Sequence, residues 1–266
     1  MQAKTAIFSL VYGLHKRFAT KPLPERLGVY FHSLEKHEWP AFRDCVATLR
    51  FHGYEIVSID DFIRPEKPHR KQAFISFDDN YKSWHEALGL FRELDVKLTF
   101  YVNTLPLIET TSRQEISTYF DRIVHHGDRT AMSGQDVKEL HAEGHTIAAH
   151  THSHFALNKL PPDKWDEEIL QSKLILEDLI GESVRHFSYP FGMRRFFNSD
   201  LEAYCQVIGF ETIAAAIPGM QYAQPFNKLQ MHRTAWTTDA TANHMVEKLC
   251  IDGRVFEKLT GRSAIG

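Results

Sequence analysis

Short apolar runs alternate with amphipathic stretches from residue 27 to residue 216, and this predicts a repeated strand–helix order. The run LGVYF at 27–31 reads as a buried strand. A helix from about Pro40 follows, with Phe42, Val46 and Leu49 on one face, ending at Gly53. YEIV at 54–57 is the next strand. Beyond a polar linker at 64–71, which carries Pro65 and Pro68, come the strand AFISF at 73–77, a helix over about 81–94 and the strand KLTFYV at 97–102.

Residues 104–131 are polar and weakly patterned, and they read as an insertion over one rim. Ser133 followed by Asp136 resembles a capping box, opening a helix with Val137, Leu140 and His141 on one face and Gly144 at its end. HTIAA at 145–149 is a strand. Pro161 and Pro162 introduce a long helix to Gly181, with Trp165, Ile169, Leu176 and Ile180 along one stripe. Strands at 186–189 and 211–216, with a helix between them, extend the alternation to at least six units. Such an order implies a parallel sheet with helices outside, either a barrel or a doubly wound sheet. No internal repeat or second-domain linker interrupts it, so residues 1–266 are expected to form a single domain with residues 1–25 as a helical extension.

The apolar run AIFSLVYGL at 6–14 is far shorter than the roughly 20 residues of a membrane span. A basic cluster follows it, where a signal peptide would carry a small-residue cleavage site. It reads as a packed helix, with peripheral membrane attachment through residues 1–17 as the alternative. The 31 basic and 34 acidic residues leave a net charge of −3, which gives no general attraction for nucleic acid. Cys45, Cys205 and Cys250 are odd in number and have no metal-binding spacing, which fits a reducing, cytoplasmic setting. The 16 histidines direct attention to a metal site.

Two segments carry candidate chemistry. SFDDN at 76–80 ends a strand in two adjacent carboxylates, Asp78 and Asp79, where α/β folds place active sites. A simpler role for either is to cap the helix near Tyr81. The second segment, HTHSH at 150–154, follows the strand at 145–149. His150 and His154 stand four apart, which on a single helical turn brings both rings to one face and sends His152 elsewhere. With Asp79 they make a two-nitrogen, one-oxygen set with open positions, as in catalytic zinc sites. Asn103 and Tyr189 lie at strand ends facing this place and are candidate walls of a substrate pocket. His125, His126, Arg194 and Arg195 read as solvated, and the four tryptophans as packing.

FDDN at 77–80, GHTIAAHTHSH at 144–154 and FSYPFG at 187–192 together resemble the ordered motifs of the polysaccharide deacetylases, the NodB-like carbohydrate esterases. YFHS, HGYEIVSIDDFI and KLTFYV extend the resemblance over most of residues 26–236. It implies a distorted or incomplete (β/α) barrel of about seven parallel strands. It also implies a metal-dependent hydrolase that removes N-acetyl groups from N-acetylhexosamine units of a glycan or glycan precursor. Asp79, His150 and His154 would hold one divalent ion, Zn2+ first, with Co2+, Ni2+ and Mn2+ also admissible. Asp78 would be the general base, and the Phe191 N–H, after Pro190 in the third motif, an oxyanion donor. His32 matches the acid histidine of a permuted subgroup, with His232 as its rival.

The pattern is departed from at three places. Asn80 replaces a glycine, tolerable if that residue has positive φ. Ser188 stands where many members carry the arginine that orients the base, and Arg233 is the candidate replacement. The fourth motif is not recognisable around Ala214, Ala215 and Ala216. These departures leave open hydrolysis of another C–N bond, in a cyclic imide, ureide or formamide, or a catalytically silent carbohydrate-binding barrel.

Overall fold

The computed structural model describes residues 22–64, 69–123, 127–217, 227–238 and 241–250. The expected helix over 1–17 and the pair His125–His126 lie outside them. Among the described residues nine strands form one parallel sheet: β1 (Arg26–Phe31), β2 (Tyr54–Ile56), β3 (Lys71–Asp79), β4 (Thr99–Val102), β5 (Thr146–Ala149), β6 (His186–Ser188), β7 (Thr212–Ala215), β8 (Met231–His232) and β9 (Thr234–Ala235). From β3 to β8 the spatial order follows the chain, which excludes the doubly wound alternative. One edge of β3 pairs with β1, and the other is shared in series by β2 and β4.

The ring is completed by one extended segment over 231–235. Its first half pairs with β7, Ala215 opposite His232, and its second half pairs with β1, Val29 opposite Thr234. Arg233 stands at the changeover, wholly buried. The sheet is thus a nearly closed (β/α) barrel, as the strand–helix alternation predicts, with this closing segment added.

Strand alternation divides the residues into two layers. Phe74, Tyr101, Ala148, Ala214 and Met231 face inward, where they pack with Val57, Ile59, Phe62 and Ile63 and plug the barrel. The opposite parity, including Val29, Phe31, Ile75, Phe77, Phe100, Ile147, Phe187 and Ile213, packs under the helices. Phe77 stacks between Phe31 and Phe100, with ring centroids 5.3 Å away on each side. Each such fully buried ring contributes on the order of 2–3 kcal/mol.

The helices follow the sequence signals with three differences. α1 (Trp39–Phe51) ends ahead of Gly53 at φ 83°, as expected. The stretch expected as one helix over 81–94 is a one-turn helix, Ser83–Glu86, and then α2 (Leu88–Glu93), separated at Ala87. The polar stretch 104–131 contains α3 (Arg113–Arg122), capped by Ser112, whose side chain accepts from the Glu115 N–H, and anchored by buried Tyr119 and Phe120. α4 (Gly134–Ala142) opens on the expected Ser133–Asp136 capping box. The helix expected up to Gly181 is a π-turn, Asp166–Leu170, continued by α5 (Gln171–Ile180) and closed by left-handed Gly181. α6 (Ser199–Val207) lies between β6 and β7. No helix among the described residues is long and apolar enough to cross a membrane.

Candidate active site

The inward parity of β3 runs Phe74, Ser76, Asp78, so Asp78 projects into the barrel mouth, where only 5% of it is exposed. Asp79 should then point outward into the helix layer. It does not, because its backbone adopts φ 88°, a left-handed conformation that breaks the alternation and turns the carboxylate back over the mouth. The positive φ expected at Asn80 therefore lies one residue earlier. Asn80 instead bridges neighbouring segments, its Nδ2 donating to the Asn103 carbonyl at 3.0 Å and its Oδ1 accepting from the Met132 N–H at 2.9 Å. This buried amide ties three loops together.

Asp79 meets both candidate imidazoles. Its Oδ1 lies 3.6 Å from His150 Nε2 and 3.3 Å from His154 Nε2, and all three groups are buried. The two rings do not converge by sharing a helical turn, as their spacing suggested. Residues 150–154 are a loop in which Thr151 (φ 68°) and His154 (φ 63°) are both left-handed. The Thr151 hydroxyl accepts from the His154 N–H at 3.1 Å, and His150 Nδ1 hydrogen-bonds the Ser188 carbonyl at 2.7 Å. That bond makes Nδ1 the protonated nitrogen and leaves the Nε2 lone pair facing Asp79. Burial holds the His154 pKa down at about 4, against the pull of Asp79. Burial alone would raise the Asp79 pKa, but His150, His154 and His32 together hold it well below the usual carboxylate range.

Asp78 has an entirely separate partner. Arg233 grips it with a bidentate fork, Nη1 to Oδ1 at 2.6 Å and Nη2 to Oδ2 at 2.8 Å. The same guanidinium donates to Ser76 Oγ at 3.0 Å, Ser188 Oγ at 2.7 Å and the Ala215 carbonyl at 3.3 Å. It lies between the rings of Tyr30 and Tyr101, 4.9 and 4.8 Å from their centroids. Gly28 makes this possible: a Cβ there would come within 3.0 Å of the Arg233 Cγ and 2.4 Å of Phe74. Desolvation pushes the Tyr30 hydroxyl up to about 12, with the Asp78 charge adding to it.

The family model for polysaccharide deacetylases matches residues 66–213, more than half of the chain. This chain is a polysaccharide deacetylase family member. It is similar to Bacillus subtilis YxkH, a polysaccharide deacetylase by name, with 22% identity over 58% of this chain and 48% of the relative. The chain thus spans about half the length of that curated relative. Two solved structures share the fold. Streptococcus pyogenes deacetylase PplD in complex with acetate superposes at TM-score 0.68 and 16% identity, covering 84% of this chain and 97% of that one. A Bacillus cereus polysaccharide deacetylase, BC0361, superposes at 0.64 and 19%, covering 84% and 68%.

In this family member the remaining expected site residues fall into two groups. His32 follows β1 at the mouth, half-buried, with its ring 5.4 Å from Tyr30 and close enough to Asp79 and His154 to act on both charges. Phe191 is left-handed (φ 65°) at the tip of the turn after β6, and its ring packs edge-on against His154 at 5.0 Å. That turn is closed by the Gly192 N–H on the Tyr189 carbonyl at 3.2 Å, with Pro190 buried inside it.

Three residues stand elsewhere than expected. Asn103 is no pocket wall: it is wholly buried, its Nδ2 bonded to the His150 carbonyl and its Oδ1 accepting from Tyr119 at 3.1 Å. It secures the histidine loop from beneath. Tyr189 has the parity of Phe187 and packs under the helices, its hydroxyl on the Gly192 carbonyl at 3.0 Å and its ring stacked on Phe197 at 4.5 Å. Strand alternation around inward-facing Arg233 sends His232 to the other face of the closing segment, away from the mouth.

The donor set suits a cation. One ligand atom from each of Asp79, His150 and His154 lies within 4.8 Å of the others, the one such group among the described residues. Asp79 Oδ2 and His154 Nδ1 are buried and have no hydrogen-bond partner. An anionic oxygen held out of water without a donor is costly, and a divalent cation bound by Asp79, His150 and His154 would remove that cost. The carbonyl-bound Nδ1 of His150 is the orienting contact that metal-ligating histidines typically carry.

Proposed function

We propose that this protein is a metal-dependent hydrolase that removes N-acetyl groups from N-acetylhexosamine units of a glycan or glycan precursor, with Zn2+ as the first candidate ion. The observation carrying this reading is the division of two adjacent carboxylates between different partners: Asp79 with two imidazoles, Asp78 with the Arg233 fork. On this reading Asp79 is a ligand of the cation and Asp78 the base beside it.

When bound, the cation supplies Lewis acidity, polarising an amide carbonyl and making water a better nucleophile. Asp78 takes the proton that water loses. Its two oxygens are already engaged by Arg233, so its orientation is fixed before substrate arrives. The Phe191 N–H, at the tip of its strained turn, donates to the oxygen that becomes negative as the carbonyl is attacked; such a donor contributes roughly 3–4 kcal/mol. His32 returns a proton to the departing amine, work that imidazole performs well near neutral pH. The apolar face of Phe191 against His154 limits water at that side.

Asp78→Asn should lower acetate release from N-acetylglucosamine oligomers by about 10²–10⁴-fold while leaving bound Zn2+ unchanged. Turnover near the wild-type rate would refute the base assignment. Faster hydrolysis of cyclic imides, ureides or formamides than of acetylated glycans, in the same panel, would move the substrate assignment.

A further inference from the structure

Ser153 lies between the two histidines of the candidate metal site and is held from two sides by elements that contribute no ligand. From one side, Arg122, the last residue of α3, donates its Nε–H to the Ser153 carbonyl at 2.8 Å. From the other, Glu168 receives both the Ser153 N–H, at 2.9 Å, and the Ser153 hydroxyl. The Glu168 carbonyl also accepts the His152 N–H at 2.7 Å. Glu168 is 5% exposed and sits in the π-turn Asp166–Leu170. A π-turn shifts the residues before it against the helix axis, and such turns are frequent at functional sites.

Thr151 and His154 are in left-handed conformations that cost on the order of 1–3 kcal/mol each and persist only where surroundings over-determine them. The Thr151 hydroxyl bond to the His154 N–H lies within the loop and cannot set its position relative to Asp79. Arg122 and Glu168 can, because they belong to separate elements packed on the barrel. Arg122 is fixed in turn by the Phe155 ring, which its guanidinium covers at 4.5 Å. A buried carboxylate and a half-buried guanidinium therefore hold one serine by opposite polar groups next to the strained His154, while Asn103 and the Leu105 N–H hold the first half of the loop.

We infer that Arg122 and Glu168 are positioning residues for the metal site, clamping Ser153 so that His154 is presented to the cation already aligned with Asp79 and His150. The inference rests on the metal reading given above, and it assigns to the 104–131 insertion a role in cation affinity. Both residues act through Ser153 and neither belongs to the ligand set.

Full-length wild type, Glu168→Gln, Arg122→Met and Arg122→Lys would be titrated with Zn2+ against a chromophoric chelator. They would also be loaded with Co2+, for its visible absorption, and unfolded in urea without metal. The clamp predicts Zn2+ affinity about 10–100-fold weaker in Glu168→Gln and Arg122→Met, the size typical for lost outer-shell partners. It also predicts an altered Co2+ band in both, and partial recovery in Arg122→Lys, which keeps a donor. Weakened metal-free stability with wild-type Zn2+ affinity and an unchanged Co2+ spectrum would overturn the clamp and leave the metal site standing. No Zn2+ or Co2+ binding by wild type itself would instead overturn the metal reading, and the clamp with it.

Discussion

Arg233 and Asp78 form a buried ion pair whose removal can be sized from its contacts. Arg233→Met keeps much of the side-chain volume between Tyr30 and Tyr101 but deletes the two-bond fork. It leaves the Asp78 carboxylate, 5% exposed, without its counterion. Breaking a buried pair from one side typically costs about 3–5 kcal/mol, because the remaining charge stays desolvated. Asp78→Asn leaves the mirror problem, a guanidinium with no exposed surface whose remaining partners are Ser76, Ser188 and the Ala215 carbonyl. The double variant has neither charge to strand. Its cost should fall below the sum of the singles by about 2–3 kcal/mol, the upper part of the roughly 0.5–3 kcal/mol range for groups in direct contact.

Urea unfolding of the four proteins at one pH gives this coupling directly. Thermal scans should show Arg233→Met melting roughly 10 °C below wild type, since 1 kcal/mol shifts Tm by about 2–4 °C in chains of this size. Arg233→Lys should lie between, because one ammonium cannot reproduce a planar fork. Zn2+ affinity should survive in Arg233→Met while turnover falls, since Asp79, His150 and His154 bond none of the Arg233 nitrogens. Strictly additive single costs, or an Arg233→Met protein within about 1 kcal/mol of wild type, would refute the claim that this pair is desolvated and mutually dependent.

His145 gives a pH-dependent stability. Burial lowers its pKa to about 4, and its Nδ1 accepts the Leu98 N–H at 3.2 Å, which requires the neutral ring. With a folded value below the unfolded 6.5, its contribution is complete above pH 6.5 and is lost as pH falls toward 4, a change of up to about 3 kcal/mol. His145→Asn, which retains an acceptor, should flatten that part of a urea-stability profile; parallel profiles would count against it. Gly192 and Gly209 both have positive φ, but a Cβ at Gly192 would come within 2.4 Å of the Ala216 nitrogen, whereas the space at Gly209 is open. Gly209→Ala should cost about 1–2 kcal/mol and Gly192→Ala about 2–5 kcal/mol. Only Gly192→Ala should also reduce acetate release, through the Phe191 turn, and equal effects would refute the steric argument.

Most of the barrel was readable because each strand is an apolar run and each main helix carries a spaced stripe. The elements with no local signature are short or lack a stripe. The closing segment over 231–235 makes two pairings of two residues each, and its partner β1 is some 200 positions earlier, so no local pattern marks it. α3 buries Tyr119 and Phe120, which are adjacent and form no stripe; Ser112 and Glu115 at its start were the available signal. Candidate site residues were legible as types and spacings, but their directions were not. Asn103 and Tyr189 sit at strand ends as expected, yet Asn103 is buried beneath the histidine loop and Tyr189 packs under the helices, because a strand-end position does not specify which face the side chain takes. Arg233 is legible by a different signal, the lack of an arginine at Ser188, and the two side chains touch at 2.7 Å.

The adjacent carboxylates show why direction matters most. In a regular strand, Asp78 and Asp79 would face opposite layers and could not serve one site. The fold keeps Asp78 in register with Ser76, where Arg233 reaches it, and departs from β geometry only at Asp79. The same device recurs at Thr151, His154 and Phe191, so four of the five non-glycine residues with positive φ among the described residues lie at the mouth. Each departure costs stability locally and is held by contacts from below: Asn80 and Asn103 beneath the loops, Glu168 and Arg122 at Ser153, Gly192 against Ala216. The site is therefore specified less by its ligands, which a motif reveals, than by the buried polar groups that keep those ligands in conformations their own backbones disfavour.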